Sequence, residues 1–357
     1  MGRQSPRFLG FIIRVVGFSP ASRLCLKALV SGFVFGLAAH TAWAGPYSAR
    51  DWARCPAIVE RDQPATVFAV GDIHGDYERL IRLLVAARIM PAKPATPERG
   101  AWSARDSVLV VVGDMIDKGP RPVEVLRLLR SLQIAAGKQQ GEVIVLAGNH
   151  EAELLAAPNG APSAGHVADL EKFGMSRNGA PPCRGEIGEF LCSLPFGARV
   201  GDWFFSHAGN TDGRTIRQLS SEIQEGSYDL TAPNSILEAR LGQGRKWFAP
   251  PSPGMGERQV LASYAMALGV KHMVQGHQHN EVGFADGAAR HTGEMFQRWG
   301  LLFLIDVGMS RKIGDSQGAV LRIGNASAVA LCPDGKETLL WDAKGDADLG
   351  RAAPCVR

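Results

Sequence analysis

The chain of 357 residues is 45 % hydrophobic, 21 % charged and 7 % aromatic, a globular balance that excludes disorder, collagen and coiled coil as descriptions of the whole. At that length one large domain or two modest ones bury a real core. The formal charge of +4 belongs to the first 44 residues, which hold Arg3, Arg7, Arg14, Arg23 and Lys27 and no acid; the 39 bases less these five leave 34, against 35 acids, so nucleic-acid binding through bulk charge has no support.

The basic leader reads as a secretory signal. An apolar run of 12 residues, Ala28 to Ala39, precedes Ala42-Trp43-Ala44, a small-x-small cleavage site. About 20 apolar residues are needed to span a bilayer, so no permanent membrane span is expected after cleavage behind Ala44. An uncleaved anchor or an organelle transit peptide are the other readings. The expectation is an exported, periplasmic protein. Five cysteines remain beyond the leader: Cys55, Cys183, Cys192, Cys332 and Cys355. An oxidising compartment permits bridges: Cys183 with Cys192 closes a short loop, and Cys332 pairs with Cys355 or with Cys55. None shows the Cys-x-x-Cys spacing of zinc or redox sites.

From Pro64 onward, short β-branched runs alternate with helical periodicity. Thr66–Val70 is a buried strand, Tyr77–Ala87 a helix, Ser107–Val112 a strand, Val123–Leu132 a helix and Glu142–Ala147 a strand. This alternation argues an α/β layer architecture with mostly parallel strands in the N-terminal half. The Gly-, Pro- and Asn-rich stretch after Ala157 reads as loops or a variable cap, placed around 152–200. Asp202–Ser206, Lys271–Gln275, Leu301–Asp306, Ala319–Ile323 and Ser327–Leu331 are further strands. One domain over 45–357 is the expected organisation.

Polar residues fall where the strands stop. Gly71-Asp72-Ile73-His74-Gly75-Asp76, Gly113-Asp114-Met115-Ile116-Asp117-Lys118-Gly119, Gly148-Asn149-His150-Glu151, Ser206-His207-Ala208-Gly209 and Gly276-His277-Gln278-His279 each follow an apolar run. In open α/β sheets ligands bind beyond the carboxyl ends of strands, so five clusters converge on one crevice. Carboxylates, an amide oxygen and imidazoles without thiolate make a site for Mn, Fe, Zn, Ni or Co. The ligands are too many for one four-coordinate ion, and a shared Asp serves two, the arrangement that assists in-line phosphoryl displacement. Singly, each cluster has a bland explanation as a turn or a core histidine; together, and in this order, they do not.

The order GDIHGD, GDMIDKG, GNHE, HAG, GH resembles the phosphoprotein phosphatase family of metallophosphoesterases. The C-terminal LGVKHMVQGHQ, LLFLIDVGMSRKIG and AVLRI resemble its Shewanella-like branch. The resemblance implies a β-sandwich flanked by helices, in α/β/β/α layers. It implies Asp72 and His74 as ligands of a first divalent ion, Asp114 as the bridge, and Asn149, His207 and His277 as ligands of a second, with Mn the expected metal. It further implies His150 as general acid, Asp117 as the carboxylate that orients it, and a metal-bridging hydroxide as nucleophile. The family usually has Arg where this chain has Lys118, and Lys offers a point charge in place of a planar fork. Lys118, Arg121 and Arg245 are the phosphate-binding candidates. His279 reads as an exposed loop residue or a neighbour of the ligands. The expected substrate is a phosphorylated protein or a small phosphoester. A bis(5′-nucleosyl)-tetraphosphatase-like or broad phosphoesterase is the alternative within the enzyme class, and a non-catalytic metal-binding scaffold the alternative outside it.

Overall fold

The computed structural model describes residues 47, 50–156, 183–242, 247–345 and 348–355. The leader with its expected cleavage site, the heart of the expected cap (157–182) and Arg245 lie outside the described residues.

Two sheets form the frame. The first orders β14-β13-β12-β2-β3-β4, where β2 is Val67–Val70, β3 Val108–Val111, β4 Glu142–Val145, β12 Val320–Ile323, β13 Ser327–Leu331 and β14 Glu337–Asp342. Its β2, β3 and β4 run parallel, and the rest of its pairs are antiparallel. The second sheet orders β1-β5-β6-β7-β11-β10-β15. Here β1 is Ile58–Arg61, β5 Gly197–Val200, β6 Trp203–Ser206, β7 His272–Gln275, β10 Glu294–Arg298, β11 Leu302–Leu304 and β15 Arg351–Pro354. A two-stranded ribbon, β8 (Val282–Gly283) with β9 (Ala289–Arg290), stands apart.

Strand alternation divides the apolar residues between two cores. Val67, Ala69, Val108 and Val110 of the first sheet cluster with Ala198, Phe205, Val274 and Phe303 of the second, forming the filling of a sandwich. Their chain neighbours Phe68, Val70, Leu109 and Val111 pack instead with helices α1 (Tyr77–Ala86) and α2 (Pro122–Gly137). On α1, Leu80, Ile81, Leu83 and Leu84 form the buried face, and Asp76 caps its first turn by accepting the Arg79 N–H. Burying side chains of this size contributes about 1.5–3 kcal/mol each. The result is helices outside two facing sheets, the expected layering.

The ten expected strands and helices between Thr66 and Leu331 appear within one or two residues of their expected bounds, α2 excepted, which extends five residues further, to Gly137. The strands not expected are β1, β5, β10, β14, β15 and the two-residue β8 and β9. Three of these, β1, β14 and β15, are sheet edges. An edge strand leaves part of its surface in water and needs no continuous apolar run, as ETLLWD shows. The helix Ile216–Glu225 buries only Leu219 and Ile223 and is held by a Thr215–Gln218 capping box, so its apolar signal is thin. Cys183 pairs with Cys192. Cys332 pairs with Cys355 and not with Cys55, joining the end of β13 to the end of β15 across the two sheets. No helix among the described residues is long and apolar enough to cross a membrane.

Candidate metal centre and active site

The parallel strands β2, β3 and β4 deliver Asp72, Asp114 and Asn149 at their carboxyl ends. From the facing sheet, β6 ends one residue before His207 and β7 two residues before His277. His74, Asp114, Asp117, Lys118 and His277 all have φ between 45° and 65°, a region that costs non-glycine residues energy and persists only where neighbours over-determine it. The over-determination is visible. Fully buried Glu151, in the first turn of α3 (Asn149–Ala156), accepts N–H bonds from Asp114 (2.9 Å), Met115 (2.8 Å), Ile116 (3.1 Å) and Gly148 (2.8 Å). The Asp114 carbonyl in turn accepts the N–H of Ile73 and His74. A Cβ at Gly148 would overlap the Asp114 carboxylate, so only glycine permits this approach.

Three histidines are oriented by main-chain carbonyls. His74 Nδ1 lies 3.1 Å from Ile116 O, His207 Nδ1 2.8 Å from Val112 O, and His277 Nε2 3.2 Å from Glu238 O. Each of these ring nitrogens therefore carries the proton, and the other presents a lone pair. Those lone pairs converge with oxygen acceptors. His207 Nε2 is 3.0 Å from Asn149 Oδ1, 3.1 Å from His277 Nδ1 and 3.3 Å from Asp114 Oδ1. His74 Nε2 is 3.6 Å from Asp114 Oδ2 and 4.0 Å from Asp72 Oδ2. Asp72 is steered by the His277 N–H, which donates to both its oxygens.

Two groups have ligand atoms within 4.8 Å of one another, His74–Asp114–His150 and Asp114–His207–His277, and Asp114 belongs to both. Acceptors facing acceptors in a buried pocket repel unless a proton or cation sits among them. Burial and the Asp306 carboxylate push the Asp72 carboxyl well above the ordinary range. Burial disfavours charge on His207, yet Asp114 and Asp72 outweigh it and raise the imidazole to about 10. Both shifts express negative charge that a divalent cation would relieve, and the O/N donor set fits Mn, Fe, Zn, Ni or Co.

His150, at the mouth of the pocket, faces Asp117: Nδ1 and Oδ2 lie 3.0 Å apart. Lys118 Nζ reaches the same oxygen at 2.9 Å. Burial opposes charge on His150, but Asp114 and Asp117 raise it to about 9. Asp117 is disfavoured by burial, yet its bonds to His150 and Lys118 hold it well below the usual carboxylate range. Before any cation neutralises Asp114, these carboxylates keep the His150 imidazole protonated through neutral pH, with its Nε2 3.7 Å from Asp114 Oδ2.

The structure brings together the six expected ligands, His150, Asp117 and Lys118. The Arg121 guanidinium faces other partners: Glu78 (2.5 Å), Glu124 (3.0 Å) and the Tyr77 ring, 4.4 Å below it. His279 Nδ1 lies 3.7 Å from Asp306. Three residues of the neighbourhood escaped sequence reasoning. Buried Asp306 ends the apolar run LLFLI just as the ligands end theirs, so the signal was present. Arg240 approaches the His277 carbonyl at 3.4 Å with no local pattern to mark it, and Glu151, the last residue of GNHE, organises the second motif, a role that the motif alone does not reveal.

Residues 65–281 match the calcineurin-like phosphoesterase family. The chain belongs to this family. It is therefore a hydrolase of the metallophosphoesterase superfamily, whose members use divalent metals. Among curated relatives, the chain is 32 % identical over 143 residues to "Bis(5'-nucleosyl)-tetraphosphatase, symmetrical" of Methylococcus capsulatus, covering 40 % of this chain and 42 % of that protein. It is 28 % identical over 90 residues to "Shewanella-like protein phosphatase 2" of Arabidopsis thaliana, covering 25 % and 22 %. The chain thus spans less than half the length of either relative. The fold is similar to that of a cold-active protein-tyrosine phosphatase of a psychrophile Shewanella species, with TM-score 0.60 and 22 % identity over 80 % of this chain and 82 % of that one. The Arabidopsis relative supports the resemblance to the Shewanella-like branch of the phosphoprotein phosphatases, and the structural likeness shows the shared fold.

Proposed function

We propose that this metallophosphoesterase hydrolyses phosphomonoesters, with phosphorylated protein side chains as its substrate class. The observation that carries the reading is the His150–Asp117 pair, a proton donor held charged at neutral pH beside the ligand cluster. An alkoxide or phenoxide leaving group of an amino-acid phosphoester needs such a proton.

Asp72, His74 and Asp114 would hold one divalent ion, and Asp114, Asn149, His207 and His277 a second. When bound, the pair supplies Lewis acidity toward the phosphoryl oxygens and lowers the pKa of water, with Mn the expected metal. Lys118, about one-third exposed, neutralises phosphate charge at the entrance as a point charge. Asp117 keeps the His150 ring aimed, and His150 releases its Nε2 proton to the leaving oxygen. Direct displacement by water needs no nucleophilic side chain, so no covalent phosphoenzyme forms. Export to a periplasm, read from the leader, is part of the proposal.

A second reading, hydrolysis of dinucleoside polyphosphates, is favoured by the likeness to the tetraphosphatase relative, which covers more of this chain than the phosphatase relative does. A panel of phosphoserine, phosphothreonine and phosphotyrosine peptides, assayed with Mn²⁺ beside diadenosine tetraphosphate, separates the two. Preferred turnover of the peptides supports the proposal, and preferred turnover of the dinucleotide overturns it. Absence of turnover on every substrate, including p-nitrophenyl phosphate, at every metal returns the chain to a binding scaffold.

A further inference from the structure

Arg290, at the end of β9, is fully buried. A buried guanidinium persists only when its donors are satisfied, and here main-chain carbonyls satisfy them. Nη1 donates to Gln278 O (2.6 Å) and Asn280 O (2.7 Å), Nε to Glu294 O (2.8 Å), and Nη2 to Asp306 O. Burial weakens its hold on the proton, and the Asp306, Glu294 and Asp72 carboxylates restore part of it.

Three of the four acceptors have one thing in common: they flank the expected ligands. Gln278 and Asn280 belong to the loop that begins at His277, and Asp306 closes β11, the strand paired with β7. The far side of the same loop is also fixed. The Gln278 amide accepts the Leu241 N–H at 2.6 Å and donates to Leu241 O at 3.0 Å. His277 itself sits at φ 65°, a conformation that requires such support.

We propose that Arg290 is a positioning residue for the second ion: it anchors the loop behind His277 to the end of β11 and so presents the imidazole before any ion arrives. The inference rests on the reading of His277 as a ligand. Lysine keeps the charge but has one nitrogen, which cannot span four carbonyls placed around a planar fork. Outer partners of metal ligands typically change affinity by roughly 10–100-fold when removed.

Two measurements test it. Hydrogen exchange on the metal-free, full-length chain is expected to show residues 277–280 already protected, with little change on adding Mn²⁺. Fast exchange there that slows only with Mn²⁺ would overturn the proposal, and this readout needs no variant to fold. Titration calorimetry of R290K with Mn²⁺ is expected to show one of two sites weakened by roughly tenfold or more and the other retained. The dinuclear Mn–Mn coupling in its electron paramagnetic resonance spectrum is expected to fade at the same Mn²⁺ concentration. Two ions bound by R290K with wild-type affinity and coupling would overturn the proposal. A wild-type chain that binds a single Mn²⁺ would overturn the ligand assignment and the proposal with it, whereas the exchange result in metal-free protein bears on Arg290 alone.

Discussion

His150 Nδ1 and Asp117 Oδ2 lie 3.0 Å apart, a contact that leaves Nε2 as the imidazole nitrogen for the proposed proton transfer. On the proposed mechanism, Nε2 is the nitrogen that delivers a proton. Removal of the donor by H150N is expected to lower kcat by roughly 10²-fold or more on alkyl phosphates. The loss is expected to be smaller on p-nitrophenyl phosphate, whose leaving group barely needs a proton. Steady-state kinetics on the two substrate types check the difference.

The same pair sets a pH limit. His150 is raised to about 9, so it stays protonated below that pH and loses its proton above it. With a divalent ion neutralising Asp114, only the share of that rise due to Asp117 is kept, so the rate on a poor leaving group is expected to fall on the alkaline side at or below about pH 9. Replacement of Asp117 by Asn removes one of the carboxylates that raise the imidazole, and the alkaline limb is expected to move to lower pH. A profile of kcat against pH in D117N that keeps its limb unmoved contradicts this role.

Lys118 bonds Asp117 from the solvent side and offers the charge that a phosphate meets on entry. K118A is expected to raise KM for a phosphate ester about tenfold, the equivalent of about 1.4 kcal/mol for one lost charged contact. An unchanged KM would remove Lys118 from the phosphate site.

Glu151 accepts four main-chain N–H groups at once. An amide in its place sets an NH₂ against two of those donors whichever way it turns. E151Q is therefore expected to destabilise the protein by about 1–3 kcal/mol per unmatched donor, read as a fall of several degrees in Tm, with loss of bound metal because Asp114 is no longer held.

The bridge between Cys332 and Cys355 spans 23 residues of sequence and joins the two sheets. Closing a loop of that length stabilises a fold by about 3 kcal/mol on the chain-entropy account. The C332S/C355S double variant is expected to have a lower Tm with kcat unchanged at low temperature, because neither residue belongs to the His/Asp clusters or to the His150–Asp117 pair.

Much of the site was legible because fold and chemistry share one signal. A buried parallel strand reads as an apolar run, and the polar residue that ends it, as Asp72 ends TVFAVG, has nowhere to point but the crevice. The sandwich layering was legible from the family resemblance. Its edge strands β1, β14 and β15 were not, since a half-solvated strand carries a mixed pattern. Arg290, and the role of Glu151 within GNHE, escaped for a different reason. Their partners are backbone carbonyls and N–H groups, which every residue possesses, so no spacing of side chains announces them. The place of Arg121 next to the second motif suggests a phosphate contact. The structure shows that Glu78 and Glu124, one at the start of each of two helices, engage its guanidinium.

Anomalous scattering from crystals grown with Mn²⁺ tests the central claim most directly. The account predicts two manganese peaks about 3.5–4 Å apart, with the Asp114 carboxylate between them, His74 and Asp72 on one ion, and Asn149, His207 and His277 on the other. A single peak, or two peaks that Asp114 does not bridge, would contradict it.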